Sequence, residues 1–171
     1  MGWEVIDTFI YPSKCIILAA PHTSNWDFLI GKLYSYIRRI NARYLIKSSL
    51  FIPVLGSFFR WDGGIPVYRD ASNNVVDQIV HKFSSADNFM LVIAPEGTRA
   101  RVSRWKTGFY HIAHKAKVPI VMLAMDFKRK RVGVINSFVT TGDIEKDMLF
   151  IQKCFEGVEG KVPENYNPKI I

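Results

Sequence analysis

A buried strand that runs into a histidine-containing turn is the feature that most constrains this chain. Residues 15–20, CIILAA, form an apolar run typical of a strand covered on both faces. The next seven residues, PHTSNWD, lead into a helical pattern that begins at Phe28. We therefore predict a strand-to-helix turn that holds His22 at the end of a strand and Asp27 in the first turn of a helix.

His22 and Asp27 are close enough in such a turn to form a pair. Ser24 or Asn25 is expected to cap the helix, and the helix dipole favours a carboxylate in its first turn. An imidazole held by a carboxylate keeps one tautomer and gains basicity, which suits a general base that deprotonates an alcohol. The alternative is structural, because an Asp five residues after a His often arises by chance and can simply cap a helix.

The composition indicates one globular domain. The chain has 171 residues, of which 49% are hydrophobic and 22% charged, enough to bury a substantial core. No stretch reaches the ~18 apolar residues of a transmembrane helix, and the first residues lack the pattern of a secretory signal. Cys15 and Cys154 have no metal-ligand spacing and predict thiols in a reducing compartment. We expect a single domain over residues 1–171, a cytoplasmic location and no metal.

The formal net charge of +8 predicts an anionic partner, either nucleic acid, a phospholipid surface or a phosphate-bearing substrate. The basic run 128–131 lies between two predicted strands, where such charges usually form a solvated turn. Residues 49–61 are apolar but broken by Pro53 and Gly56, so we expect short helical pieces with an exposed apolar patch. Together these segments favour peripheral contact with an anionic membrane.

Strand and helix patterns alternate along the chain. Strands are predicted at 15–20, 42–47, 63–70, 89–94, 118–125 and 131–139, and helices near 28–40, 76–83, 109–116 and 144–155. This alternation predicts an α/β domain with a largely parallel sheet flanked by helices, residues 131–139 being an antiparallel edge strand. The first ten residues are expected to fray or lie on the surface. Ligands bind beyond the carboxyl ends of such strands, where both the His22 turn and residues 95–99 fall.

Four short blocks resemble those of the glycerolipid acyltransferase family, which includes glycerol-3-phosphate and lysophosphatidic acid acyltransferases. The blocks are His22 with Asp27, matching His-x4-Asp, then GIPVYR at 64–69, PEGTR at 95–99 and VPIV at 118–121. Each block is short, but all four occur in the family order within residues 15–126, which makes the resemblance specific. The chain departs from the family pattern at Ala94, at Met122 and in a short loop after Arg99.

The resemblance implies a fold like that of glycerol-3-phosphate acyltransferase and a transfer reaction without an acyl-enzyme. An acyl thioester, on coenzyme A or acyl carrier protein, would donate its acyl group to a hydroxyl of a glycerol phosphate or lysophospholipid. His22 would deprotonate that hydroxyl and Asp27 would hold the imidazole. Amides after His22 or near Gly97 would stabilise the tetrahedral intermediate. The resemblance implies no cofactor, because acyl-CoA or acyl-ACP would be a co-substrate. The protein would lie on the inner face of the membrane.

The resemblance also implies a set of substrate-binding residues. They are Arg69, Glu96, Gly97, Thr98 and Arg99. The two arginines suit a phosphate because a guanidinium fork binds two oxygens at once. Glu96 would orient an arginine or the acceptor hydroxyl, Gly97 would allow close backbone approach, and Thr98 would donate a hydrogen bond.

Other functions remain as alternatives. The chain could acylate another lipid-like acceptor, or could be a non-catalytic basic module that binds lipid or nucleic acid. No nucleic-acid motif supports the last, and the aromatic residues do not alternate with the basic ones. His111 and His114 have helical spacing but no carboxylate or cysteine partner, which favours a solvated face over a metal site.

Overall fold

A seven-stranded sheet organises the protein, whose computed structural model describes residues 2–67 and 75–171. Its strands are β1 (Glu4–Val5), β2 (Lys14–Ala20), β3 (Ala42–Lys47), β4 (Gly64–Val67), β5 (Phe89–Ile93), β6 (Ile120–Asp126) and β7 (Arg131–Phe138). The helices in the described ranges are α1 (Trp26–Ile37), α2 (Leu55–Trp61), α3 (Val75–Ser85), α4 (Gly108–Ala116) and α5 (Ile144–Cys154). The predicted α/β class is confirmed.

The strand order is β1-β7-β6-β2-β5-β3-β4, and every pair is parallel except β6 with β7. β2 lies in the middle, bonded to β5 and β6, with residues 15–20 buried. Along β2, Ile16 and Leu18 join the core under α3, α4 and α5, whereas Ile17 and Ala19 join the core under α1. Burial on both faces explains why the run is apolar throughout instead of alternating.

The sheet aligns the two predicted functional turns. Leu18 of β2 is in register with Ile93 of β5, so these parallel strands end side by side. The turns that follow them, residues 21–25 and 94–99, therefore meet at the same edge of the sheet.

The N-terminal segment pairs with the sheet and does not fray, although its residues 2–10 are partly or fully exposed. β7 is antiparallel to β6 as predicted, but the prediction that it is an edge strand is wrong. Glu4 and Val5 pair in parallel with Arg131 and Val132 of β7. A two-residue strand is too short to show a hydrophobic period, so its place in the sheet follows from the unpaired edge that β7 offers.

Residues 48–61 form a single 3₁₀ turn, Ser48–Leu50, followed by α2. This confirms the expectation of short helical pieces. Large side chains stay exposed here, among them Leu50, Ile52, Val54, Leu55, Phe58 and Trp61. In the part of the chain that the structure describes, no helix is long and apolar enough to cross a membrane.

Candidate functional site

The Asp27 carboxylate organises the turn between β2 and α1. Its Oδ2 accepts the backbone N–H groups of Thr23 at 2.6 Å and Ser24 at 2.7 Å, and its Oδ1 accepts the Ser24 hydroxyl at 2.8 Å. Ser24 Oγ in turn accepts the backbone N–H of Trp26 at 3.2 Å, so Ser24 and not Asn25 supplies the side-chain cap. The bond from the Ser24 N–H to the Asp27 carboxylate is one half of a capping box, and together these bonds fix the backbone around His22.

The predicted pairing of His22 with Asp27 is confirmed. His22 Nδ1 lies 3.2 Å from Asp27 Oδ2, and the aspartate is only 2% exposed. Burial opposes ionisation of Asp27, but hydrogen bonds from His22, Ser24 and Thr23 outweigh it and hold the pKa of the carboxyl below its ordinary value. With a carboxylate facing Nδ1, the neutral ring keeps its proton on that nitrogen. Nε2 is therefore the atom left to accept a proton.

Glu96 connects the two turns through the backbone of His22. Its Oε1 accepts the backbone N–H of His22 at 2.9 Å, and its side chain is buried. Its Oε2 is buried with no hydrogen-bond partner among the described residues, and burial raises the pKa of this carboxyl. No ion pair of the described residues joins Glu96 to an arginine. The expectation that Glu96 orients an arginine or the acceptor hydroxyl stays a prediction, and the contact that the structure shows joins Glu96 to the histidine turn.

Arg99 reaches across from the second turn to the first. Its Nη1 is hydrogen-bonded to Asn25 Oδ1, and both side chains are exposed. Thr98 Oγ1 accepts the backbone N–H of Ala100 at 3.3 Å. Arg69, the other predicted phosphate ligand, lies outside the described residues.

Gly97 suits the positive φ of its backbone and lies close to the end of the Lys106 side chain. Its φ of +66° lies in the left-handed region, and a Cβ there would come 2.9 Å from Lys106 Nζ. Lys106 thus lies directly over the second turn, a position that no local spacing in the sequence indicates. Within the described ranges, neither Lys106 nor Arg99 forms an ion pair with a carboxylate, so both cations are available to an anion.

Three of the backbone amides in the regions expected to stabilise an oxyanion already have acceptors. Thr23 and Ser24 donate to Asp27, and Gly97 donates to the carbonyl of Ala94 at 3.1 Å. These amides therefore hold the shape of the turns.

A cavity of about 780 Å³ opens beside the pair. Polar side chains that line it include His22, Asp27, Thr98, Arg99 and Lys106, of which the last three are exposed and mark its mouth. Its walls are mainly apolar and include Ile17, Ala19, Tyr34, Val92, Leu123 and Met125, between α1 and the sheet. The volume is within the range of small-molecule sites.

The basic run 128–131 lies away from this cavity and is largely neutralised. Arg129 pairs with Asp126 at 2.6 Å, Arg131 pairs with Glu4 at 3.0 Å, and Lys128 pairs with Glu159. His114 contacts Thr140, and no group of three or more metal-binding side chains occurs among the described residues.

Comparison with known proteins bears on what this cavity does. The family model described as Acyltransferase matches residues 4–126. A 1-acyl-sn-glycerol-3-phosphate acyltransferase of Saccharomyces cerevisiae is 28% identical over 92% of this chain and 59% of its own length. One from Haemophilus influenzae is 26% identical over 66% of this chain and 48% of its own. The chain thus spans about half the length of these curated relatives.

A solved structure shares the fold. The crystal structure of the 1-acyl-sn-glycerophosphate (LPA) acyltransferase PlsC from Thermotoga maritima matches with a TM-score of 0.60 at 17% identity. The match covers 89% of this chain and 70% of that one. At this identity, the likeness shows the fold alone.

Proposed function

This chain belongs to the acyltransferase family, and we propose that it transfers a fatty acyl group from an acyl thioester to the free hydroxyl of 1-acylglycerol-3-phosphate. The observation that carries the proposal is the contact between His22 Nδ1 and Asp27 Oδ2 in the lining of a mainly apolar cavity. The acceptor class follows the two curated relatives, both 1-acyl-sn-glycerol-3-phosphate acyltransferases.

In this mechanism His22 acts as a general base. Nε2 takes the proton of the acceptor hydroxyl as its oxygen attacks the thioester carbonyl carbon. Asp27 stabilises the resulting imidazolium, and Glu96 holds the His22 backbone in place. Collapse of the tetrahedral intermediate breaks the C–S bond, and the departing thiolate recovers the proton from His22. No acyl-enzyme is formed.

Arg99 and Lys106 would bind the acceptor phosphate. Both line the cavity mouth and lack a carboxylate partner in the described part of the chain. The only side-chain partner recorded for Arg99 there is the neutral amide of Asn25, which a phosphate can replace with a stronger, charge-assisted contact. Arg69, which is not among the described residues, would be a further ligand of the phosphate. The apolar walls between α1 and the sheet would take an acyl chain.

We further propose that the protein acts at an anionic membrane surface through an apolar face and not chiefly through the basic run. Trp26, Leu29 and Leu33 of α1 are exposed, as are Phe58 and Trp61 of α2. Most charges of residues 128–131 are already paired, which leaves this run little net attraction for lipid headgroups.

Acyl transfer from labelled acyl-CoA and acyl-ACP to a panel of lysophospholipids tests the proposed function. We expect transfer to 1-acylglycerol-3-phosphate. The thioester that supports this transfer, acyl-CoA or acyl-ACP, identifies the acyl donor. His22→Ala should lower turnover by about 10²–10⁴-fold with the fold retained, and Asp27→Asn should also cripple it. Transfer to a different acceptor would revise the substrate. A folded His22→Ala protein with near-normal transfer would exclude the base, and no transfer from wild type would favour the non-catalytic lipid-binding alternative.

A further inference from the structure

The last residues of the chain, 157–171, here called the C-terminal strap, pack against the first turn of the candidate site and against the loop that follows the second. On one side, the backbone N–H of Val162 donates to Thr23 Oγ1 at 3.2 Å. On the other, the backbone N–H of Trp105 donates to the carbonyl of Ile170 at 3.0 Å, in the loop after the Arg99 turn. Tyr166 and Ile170 are buried in the core, so the strap is held firmly in place.

Gly160 of the strap packs tightly against the first turn, residues 21–25. A Cβ on this glycine would lie 2.6 Å from Thr23 Oγ1, 2.7 Å from Thr23 Cγ2 and 3.3 Å from Pro21 Cβ. The φ of Gly160 lies outside the left-handed region, so its backbone suits any residue. Glycine is therefore required by the lack of space against Thr23 and not by backbone strain.

Thr23 connects this packing to the candidate catalytic pair. Its side chain is 3% exposed, and a β-branched side chain has little freedom to rotate away. Its backbone N–H donates to Asp27 Oδ2 at 2.6 Å, the same oxygen that lies 3.2 Å from His22 Nδ1. A displacement of Thr23 would thus move a hydrogen-bond donor of the carboxylate that orients the histidine.

We infer that the C-terminal strap positions the His22–Asp27 pair through its two contacts with the Thr23 side chain, the packing of Gly160 and the hydrogen bond from Val162, an inference that rests on the proposed function. Gly160 and Thr23 are then positioning residues. Neither they nor any strap residue is among the described residues that line the cavity. A change at Gly160 should consequently affect turnover more than substrate binding.

A double-mutant cycle tests this coupling. Gly160→Ala should lower kcat by about tenfold or more, because misplacement by a fraction of an ångström is costly, while KM for the acyl thioester stays within about twofold. Thr23→Ala removes the two nearest atoms that the new methyl group would meet and leaves Pro21 Cβ, at 3.3 Å. In that background Gly160→Ala should change kcat by less than about twofold, since coupled residues are not additive.

The control is Ile151→Val, at a buried position of α5 outside both turns and outside the strap, which should lose some thermal stability. Free-energy losses in kcat that simply add across the cycle, or a Gly160→Ala protein that melts earlier but retains its kcat, would overturn the inference.

If Gly160→Ala does not fold, the comparison of Thr23→Ser with Thr23→Val tests the inference instead. Serine keeps the acceptor for Val162 and should stay within about threefold of wild type, whereas valine should lose about tenfold; equal activity of the two would overturn the inference. A wild-type protein that transfers no acyl group would instead refute the proposed function, and this inference with it.

Discussion

Asp27 and Glu96 are both buried carboxylates beside His22, but their surroundings drive their ionisation in opposite directions. Burial alone would raise the pKa of Asp27, but hydrogen bonds from His22, Ser24 and Thr23 hold it below its ordinary value. Glu96 accepts one backbone N–H from His22, which does not compensate for burial, and its pKa is raised. The first carboxylate is suited to stabilise an imidazolium, and the second mainly supports the backbone.

This contrast predicts how stability depends on pH. The folded state binds a proton at Glu96 more tightly than the unfolded state does. The contribution of Glu96 to the free energy of unfolding is therefore greatest at low pH, and falls as pH rises from its unfolded pKa through the raised folded pKa. We expect Glu96→Gln to gain stability relative to wild type as pH rises, measured by thermal melting between about pH 4 and 8. Glu156→Gln, at an exposed glutamate, is the control. A difference from wild type that is constant with pH would contradict the prediction.

Arg99 yields a prediction about the acceptor. Lysine keeps the charge but loses the guanidinium fork, so Arg99→Lys should lower kcat/KM for the acceptor by about one to two decades and affect the donor less. Arg131→Lys, at an exposed arginine paired with Glu4, should change neither constant. Kinetics with each substrate varied in turn, beside a melting curve, measure this. If the contact with Asn25 is merely structural, the Arg99 variant will lose thermal stability and both substrates will suffer alike.

At the scale of elements, α1 serves three purposes. Its first turn carries Asp27, its inner face buries Ile30 and Tyr34 against the sheet, and its outer face exposes Leu29 and Leu33. An amphipathic helix normally leaves its outer face polar. The apolar outer face, near the equally exposed α2, is therefore the feature that favours a lipid surface.

Vesicle flotation tests that surface. Phe58 of α2 and Leu149 of α5 are each 53% exposed, so they form a matched pair on different faces. Phe58→Ser should lower the fraction bound to anionic vesicles several-fold, because burying one large apolar side chain contributes about 1.5–3 kcal/mol. Leu149→Ser should leave binding unchanged, and added salt should weaken binding only modestly since most of the basic run is already paired. Equal loss in both variants, or none in either, would argue against this face.

At the scale of the whole molecule, both ends of the chain support the site. Near the N-terminus, the Asp7 carboxylate accepts the hydroxyl of Tyr34 on α1 and the backbone N–H of Val134 on β7, each at 2.9 Å. Near the C-terminus, the strap packs on Thr23. The helix that carries Asp27 is thus tied to the N-terminal segment, while the turn before it is packed against the opposite end of the chain.

Much of the fold and the central pair could be predicted from the sequence because their determinants are local. The run at 15–20 shows a strand buried on both faces, and the carboxylate five residues after His22 shares one turn with it. Helix and strand patterns recur at their own periods, and their alternation predicts the parallel sheet.

The supporting contacts were decided by the tertiary structure alone. Glu96 and Arg99 each meet a partner 74 residues away, and Val162 meets Thr23 across 139 residues. No period or spacing encodes such pairs, because they exist only where loops from different strands converge at one edge of the sheet. Local sequence therefore determined the candidate catalytic pair, and the packing of distant loops determined what holds that pair in place.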